Sequence, residues 1–131
     1  MQSDDGRVIS NFVTQAISGK PLTMYGNGKQ TRSFCYVADM VEGLILAMEK
    51  NVKSGEVINV GFPKEQTIKN IAEIILKLTE SSAVIISCHK QEDDPQRRKP
   101  DIAKAKKLLG WQPETSLFDG LSKTINYFRN L

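Results

Sequence analysis

The chain has 131 residues, of which 40% are hydrophobic and 25% charged, and its formal net charge is +3. That suits one domain or a sizeable piece of one, with an ordinary soluble composition. The charge is mild and no long block of bases stands alone, so nothing calls for nucleic acid, and a bound anion is the more economical partner.

In chain order, Val8, Ile9, Phe12, Val13, Ala16 and Ile17 recur at helical spacing. Asp4 and Asp5 precede them as caps, and Gly19 and Pro21 stop them. Leu22 to Tyr25 reads as a short extended segment, Gly26-Asn27-Gly28 as a turn, and Gln30 to Tyr36 as a strand. A second helix follows, with Val37, Met40, Val41, Leu44, Ile45 and Met48 as its apolar face. Asp39 lies in its first turn, where the helix dipole favours a carboxylate. Val57 to Val60 reads as a strand closed by Gly61. Thr67 caps a third helix carrying Ile68, Ile71, Ala72, Ile75 and Leu78. Ala83 to Ile86 is strand-like, and Asp101 caps a short basic helix ending at Gly110. Ser116 and Asp119 form a capping box for a last helix with Leu117, Leu121, Ile125 and Phe128 inward. Strands and helices interleave, which is an α/β pattern. The first helix begins almost at residue 1, as if the chain were cut from something longer.

No apolar run approaches transmembrane length. Cys35 and Cys88 are far apart and lack any CxxC or histidine companions, so both read as buried reduced thiols. His89 is the single histidine and has no partners for a metal site or a Ser-His-Asp triad.

The segment Glu92 to Asp101, EDDPQRRKPD, crowds opposite charges between two prolines with no helical or strand period. Stiff charged loops of this kind serve binding sites. A second polar cluster surrounds the glycine turn: Tyr25, Gly26, Gln30 and Arg32. Tyr25 and Lys29 have the Tyr-x-x-x-Lys spacing of a dehydrogenase pair, but that pair needs a helix and Gly-Asn-Gly breaks one. The glycines form neither a P-loop nor a G-x-G-x-x-G fingerprint. A glycine turn does let a ligand approach backbone N–H groups closely. Arg32 and Arg98 each offer a planar fork, and a diphosphate is held best by more than one cation. Glu92, Asp93 and Asp94 would either orient the arginines or contact ligand hydroxyls.

The stretch D-D-P-Q-R-R-K-P-D-I-A-K-A-K-K-L-L-G-W-Q-P closely resembles the C-terminal motif of the UDP-glucuronate decarboxylase family of extended short-chain dehydrogenases/reductases. D-G-R-V-I-S-N-F and Y-G-N-G-K-Q-T-R-S-F-C-Y-V-A-D-M fall in the same family order, so the resemblance spans essentially the whole chain. L-G-W-x-P is shared with other nucleotide-sugar epimerases and dehydratases; D-D-P-x-R-R-K-P-D is more specific to the decarboxylases.

The resemblance implies the C-terminal nucleotide-sugar-binding domain of an extended short-chain dehydrogenase fold, residues 1–131, without its NAD-binding Rossmann half. It implies that Asn11 and Phe12 lie along the sugar-nucleotide pocket and that Tyr25, Gly26 and Gln30 border the uridine and ribose. Arg32 and Arg98 would grip the diphosphate, and Arg7 would reach toward NAD. Related epimerases often carry an arginine where this chain has Gln91, and Arg98 reads as its substitute. The implied reaction oxidises the sugar at C4 with bound NAD, releases the C6 carboxylate as CO2, and reduces the ketone to UDP-xylose. The cofactor carries the hard step. With neither NAD fingerprint nor helical Tyr-x-x-x-Lys, the chain is expected to be silent alone, to self-associate through uncovered apolar faces, and to belong to a homodimer when intact. Family members occur in the cytosol and in the Golgi lumen, and the sequence does not choose between them. Two other readings stay open: another nucleotide-sugar epimerase or dehydratase, and a non-catalytic nucleotide-binding module.

Overall fold

The structure, a computed structural model, describes residues 6–89 and 99–131. Its elements run α1 (Val8–Ile17), β1 (Leu22–Tyr25), β2 (Thr31–Arg32), α2 (Val37–Glu49), β3 (Gln66–Thr67), α3 (Ile68–Thr79), β4 (Ile85–Cys88), a π-helical turn (Ala105–Leu109) and α4 (Leu117–Arg129). β1 and β4 pair in parallel, with Leu22 opposite Ile85 and Tyr25 opposite Cys88. β2 and β3 form a two-residue antiparallel pair, with Thr31 opposite Thr67 and Arg32 opposite Gln66.

One core joins α1, α3, α4 and β1. Phe12, Val13, Leu22, Ile71, Ile75, Leu121 and Ile125 are buried in it. All of these except Leu22, which is on β1, belong to the apolar stripes expected for α1, α3 and α4. Helix spacing of three and four residues gathers them on one face, and burying that face stabilises a short helix more than propensity does. The Thr67 hydroxyl accepts from the Asn70 N–H at 3.1 Å, and Ser116 Oγ accepts from the Asp119 N–H at 3.1 Å, so both expected caps form. The other edge of β1 is closed by Gln15, whose Oε1 accepts from the Thr23 N–H at 3.1 Å.

The second core is built on Trp111. Trp111, Ile102, Ala105 and Leu109 are buried, with Leu46, Ala47, Ile58 and Val60 packed against them. Here the expected face of α2 is reversed. Val37, Val41, Leu44, Ile45 and Met48 are 41–79% exposed, while α2 buries Asp39 and Gly43. Residues 39, 43, 46 and 47 form a stripe of their own, and tertiary packing chose it over the more apolar one.

Other expectations need correction. Arg7 is the N-cap of α1 and makes no side-chain cap; Asp4 and Asp5 lie outside the described residues. The strand expected over residues 30–36 is reduced to Thr31–Arg32, which among the described residues pairs with the two-residue β3. Val57 to Val60 is irregular, with Ile58 and Val60 serving the Trp111 core. The last strand lies two residues later than expected, at Ile85–Cys88, in register with β1. Cys35 and Cys88 are free but only half-buried.

Candidate functional site

The turn after β1 is fastened on three sides. Gly26 N–H donates to the Cys88 carbonyl at 2.8 Å, which carries the β1–β4 pairing one residue further. The buried Gln30 side chain donates from Nε2 to the Tyr25 carbonyl at 2.9 Å, closing the loop on itself. The carbonyls of Gly28 and Gln30 accept from Lys69 N–H at 3.0 Å and Ile68 N–H at 3.1 Å, so the turn sits on the first turn of α3. Gly26 and Gly28 both have positive φ, 69° and 72°. At Gly28 a Cβ would lie 2.9 Å from the Lys69 Cβ, so glycine is required by conformation and by space.

This geometry has an electrostatic consequence. A helix N-terminus can bind an anion through its free N–H groups. At α3 the amides of Ile68, Lys69 and Asn70 are all taken by Gln30, Gly28 and Thr67. The first three amides of α3 are therefore not free to bind an anion.

Tyr25, Gly26 and Gln30 are thus brought together in one turn, and Arg32 follows on β2. Tyr25 is 40% exposed at the C-terminal end of β1. Arg32 is half-buried, and its Nη1 donates to the Thr31 carbonyl at 2.7 Å. Asn11 and Phe12 are on a separate element, α1. Asn11 is half-buried, whereas Phe12 is 2% exposed and its ring belongs to the core, so it offers a ligand no side chain. Arg98, with Gln91 and the acidic run Glu92 to Asp94, lies outside the described residues.

Arg7 faces a different place. It lines a hollow of about 490 Å³ together with Phe34, Tyr36, Met40, Leu121 and Tyr127, and none of the substrate-side candidates lines it. Lys123 Nζ stands 5.3 Å from the Tyr36 ring centroid on its rim, a cation–π contact. Cys35, also on this wall, has its thiol pushed above the ordinary value of 9.0, by burial first and by the Asp39 carboxylate second. Among the described residues no group of three or more His, Cys, Asp or Glu could hold a metal.

Sequence reasoning missed two groups. Gln66, opposite Arg32, accepts at Oε1 from Asn70 Nδ2 at 2.8 Å. Its only sequence signal is its place just before the Thr67 cap. Asp39 lies in the first turn of α2 as expected, and it has a tertiary role besides: its Oδ2 accepts from the Thr115 N–H at 2.9 Å, and its backbone carbonyl accepts from Trp111 Nε1 at 2.9 Å.

Comparison with known proteins matches the chain over residues 2–124 to the family model described as GDP-mannose 4,6 dehydratase. It is 52% identical over 129 residues to UDP-glucuronic acid decarboxylase 1 of Xenopus tropicalis, covering 98% of this chain and 30% of that protein. The chain thus spans about a third of the length of such relatives. Among solved structures, an epimerase from Methanothermobacter thermautotrophicus superposes with a TM-score of 0.91 at 34% identity, covering 95% of this chain and 37% of that one. The UDP-glucuronic acid 4-epimerase of Bacillus cereus, solved with UDP-glucuronic acid and NAD, gives 0.90 at 32% identity, covering 95% and 40%. Sequence and fold agree: the chain belongs to the GDP-mannose 4,6 dehydratase family, with the α/β architecture of the epimerases and dehydratases.

Proposed function

We propose that this chain is the nucleotide-sugar-binding domain of a UDP-glucuronate decarboxylase, residues 1–131, acting within a longer protein. The observation that carries the reading is the layout of the parallel pair. Tyr25 ends β1 opposite Cys88, which ends β4, so both strands finish at one edge. From that edge β1 runs into the glycine turn and Arg32, and β4 runs into the sequence D-D-P-x-R-R with Arg98. In α/β proteins, ligands bind outside the carboxyl ends of parallel strands. The 52% identity to a decarboxylase supports the choice of substrate.

On this reading the exposed Tyr25, Gly26 and the turn locked by Gln30 border the uridine, with Asn11 nearby. Arg32 and Arg98 hold the diphosphate as paired forks, because the α3 amides are already engaged. The cofactor of the reaction would be NAD, which supplies hydride transfer when bound. The described residues do not fit a dinucleotide cradle: the Gly26-Asn27-Gly28 turn opens a strand, not a helix, and Tyr25 and Lys29 flank it. NAD would be held mainly by another part of the protein, with Arg7 reaching toward it from the rim of the hollow. The exposed face of α2 would be covered by that same part or by a second subunit.

Calorimetric titration tests the reading. The chain should bind UDP and UDP-glucuronate in preference to dTDP-glucose, and Arg32→Ala should weaken UDP binding about 10- to 100-fold, the value of a charge-assisted hydrogen bond. The chain alone should release no CO2 from UDP-glucuronate with NAD present. Absence of any heat with uridine nucleotides from folded protein, or preference for dTDP-glucose, would overturn the assignment; the latter would favour an epimerase or dehydratase that shares L-G-W-x-P.

A further inference from the structure

The β2–β3 pair places Gln66 directly opposite Arg32. Directly opposed residues in an antiparallel pair project from the same face, with Cβ atoms roughly 4.5–5.5 Å apart. Thr31 and Thr67 then occupy the other face, because side chains alternate along a strand. The register therefore sets Gln66 and Arg32 side by side on one face of the pair.

Gln66 is itself held. Its Oε1 accepts from Asn70 Nδ2 at 2.8 Å. Asn70 in turn is anchored in the first turn of α3, where its N–H donates to the Thr67 hydroxyl at 3.1 Å. The Ile68 and Lys69 amides of the same turn fix the loop that leads into β2. One rigid unit, the start of α3, thus anchors both the backbone before Arg32 and the side chain beside it.

An arginine side chain has many rotamers and loses that freedom when it is ordered. Binding an anion with a freely rotating arginine spends part of the binding energy on ordering it, and a preset side chain avoids that loss. We propose that Gln66, held by Asn70, is a positioning residue that presets Arg32 for the diphosphate of the ligand. The inference rests on the reading of Arg32 as a diphosphate ligand. A neutral amide suits the role. It can pack beside a guanidinium without repelling it, as lysine would, and without pairing with it and competing with the anion, as a carboxylate would.

The test uses UDP and uridine as probes, with calorimetry for UDP and competition against UDP for uridine. Gln66→Ala and Asn70→Ala should each weaken UDP binding about three- to tenfold, the range for ordering one long side chain. Uridine, which has no phosphate for Arg32 to hold, should bind unchanged. In an Arg32→Ala background, Gln66→Ala should cost nothing more, since the two residues act as one unit. Gln66→Leu, which keeps the bulk beside Arg32 and loses the amide bond, guards against a mere cavity effect, and should resemble Gln66→Ala for UDP. Equal losses for UDP and uridine, or an undiminished loss in the Arg32→Ala background, would overturn the positioning role. If Arg32→Ala weakens UDP and the Gln66 variants do not, the inference alone fails. If Arg32→Ala leaves UDP affinity unchanged, the assignment of Arg32 fails and takes the inference with it.

Discussion

At the scale of single residues, two groups report on their surroundings. Thr31 Oγ1 is buried without a hydrogen-bond partner among the described residues. A buried unsatisfied hydroxyl costs about 1–3 kcal/mol, and an apolar group of the same shape avoids the cost. Thr31→Val should therefore be neutral or stabilising by roughly 1 kcal/mol, seen as an equal or higher urea midpoint. Cys35 has its thiol raised above 9.0 in the folded protein, by burial and then by Asp39. A folded-state value above the unfolded one means that the native state holds its proton longer. The associated stability is fully present below the unfolded value and is lost as pH climbs through the folded one. Urea midpoints measured from pH 7 to pH 10 should thus fall at the alkaline end, and Cys35→Ser should flatten that fall. An unchanged slope in the variant would count against the account.

At the scale of elements, the telling contact is between α2 and the Trp111 turn. A Cβ at Gly43 would meet Trp111 Cε2 at 3.1 Å and Nε1 at 3.2 Å. Trp111 has little room to move, being 2% exposed with its indole N–H bonded to the Asp39 carbonyl. Overpacking here costs about 1–3 kcal/mol. Alanine returns about 1 kcal/mol in helix propensity. The first effect wins, and Gly43→Ala should lower the urea midpoint and shift the tryptophan emission. The tryptophan of L-G-W-x-P is thus explained without a ligand: it fastens a helix laid down some 70 residues earlier, the separation to Asp39 being 72.

At the scale of the whole molecule, the outer face of α2 dominates. Val37, Val41, Leu44, Ile45 and Met48 form an exposed apolar stripe on one helix. Contiguous apolar patches on a soluble chain drive association. Light scattering after size exclusion should show a mass that rises with concentration, and Leu44→Lys with Met48→Lys should return the chain toward a monomer. A concentration-independent monomer in the unmodified chain would refute this.

The sequence by itself determined the α/β alternation, the inward faces of α1, α3 and α4, the Thr67 and Ser116 caps, and the glycine turn. Each depends on residues within a few positions of one another, where backbone geometry decides which side chains share a face. It also exposed Tyr25, Gln30 and Arg32 as a polar cluster, because glycine marks the turn they surround. Tertiary structure alone decided which stripe of α2 is buried, that Val57 to Val60 packs on Trp111 without forming a strand, and that Gln66 stands opposite Arg32. Those outcomes depend on partners 34 to 76 positions away, Arg32 with Gln66 and Asp39 with Thr115 among them. No local period encodes them, because they are set by where the strands and helices come to rest against one another.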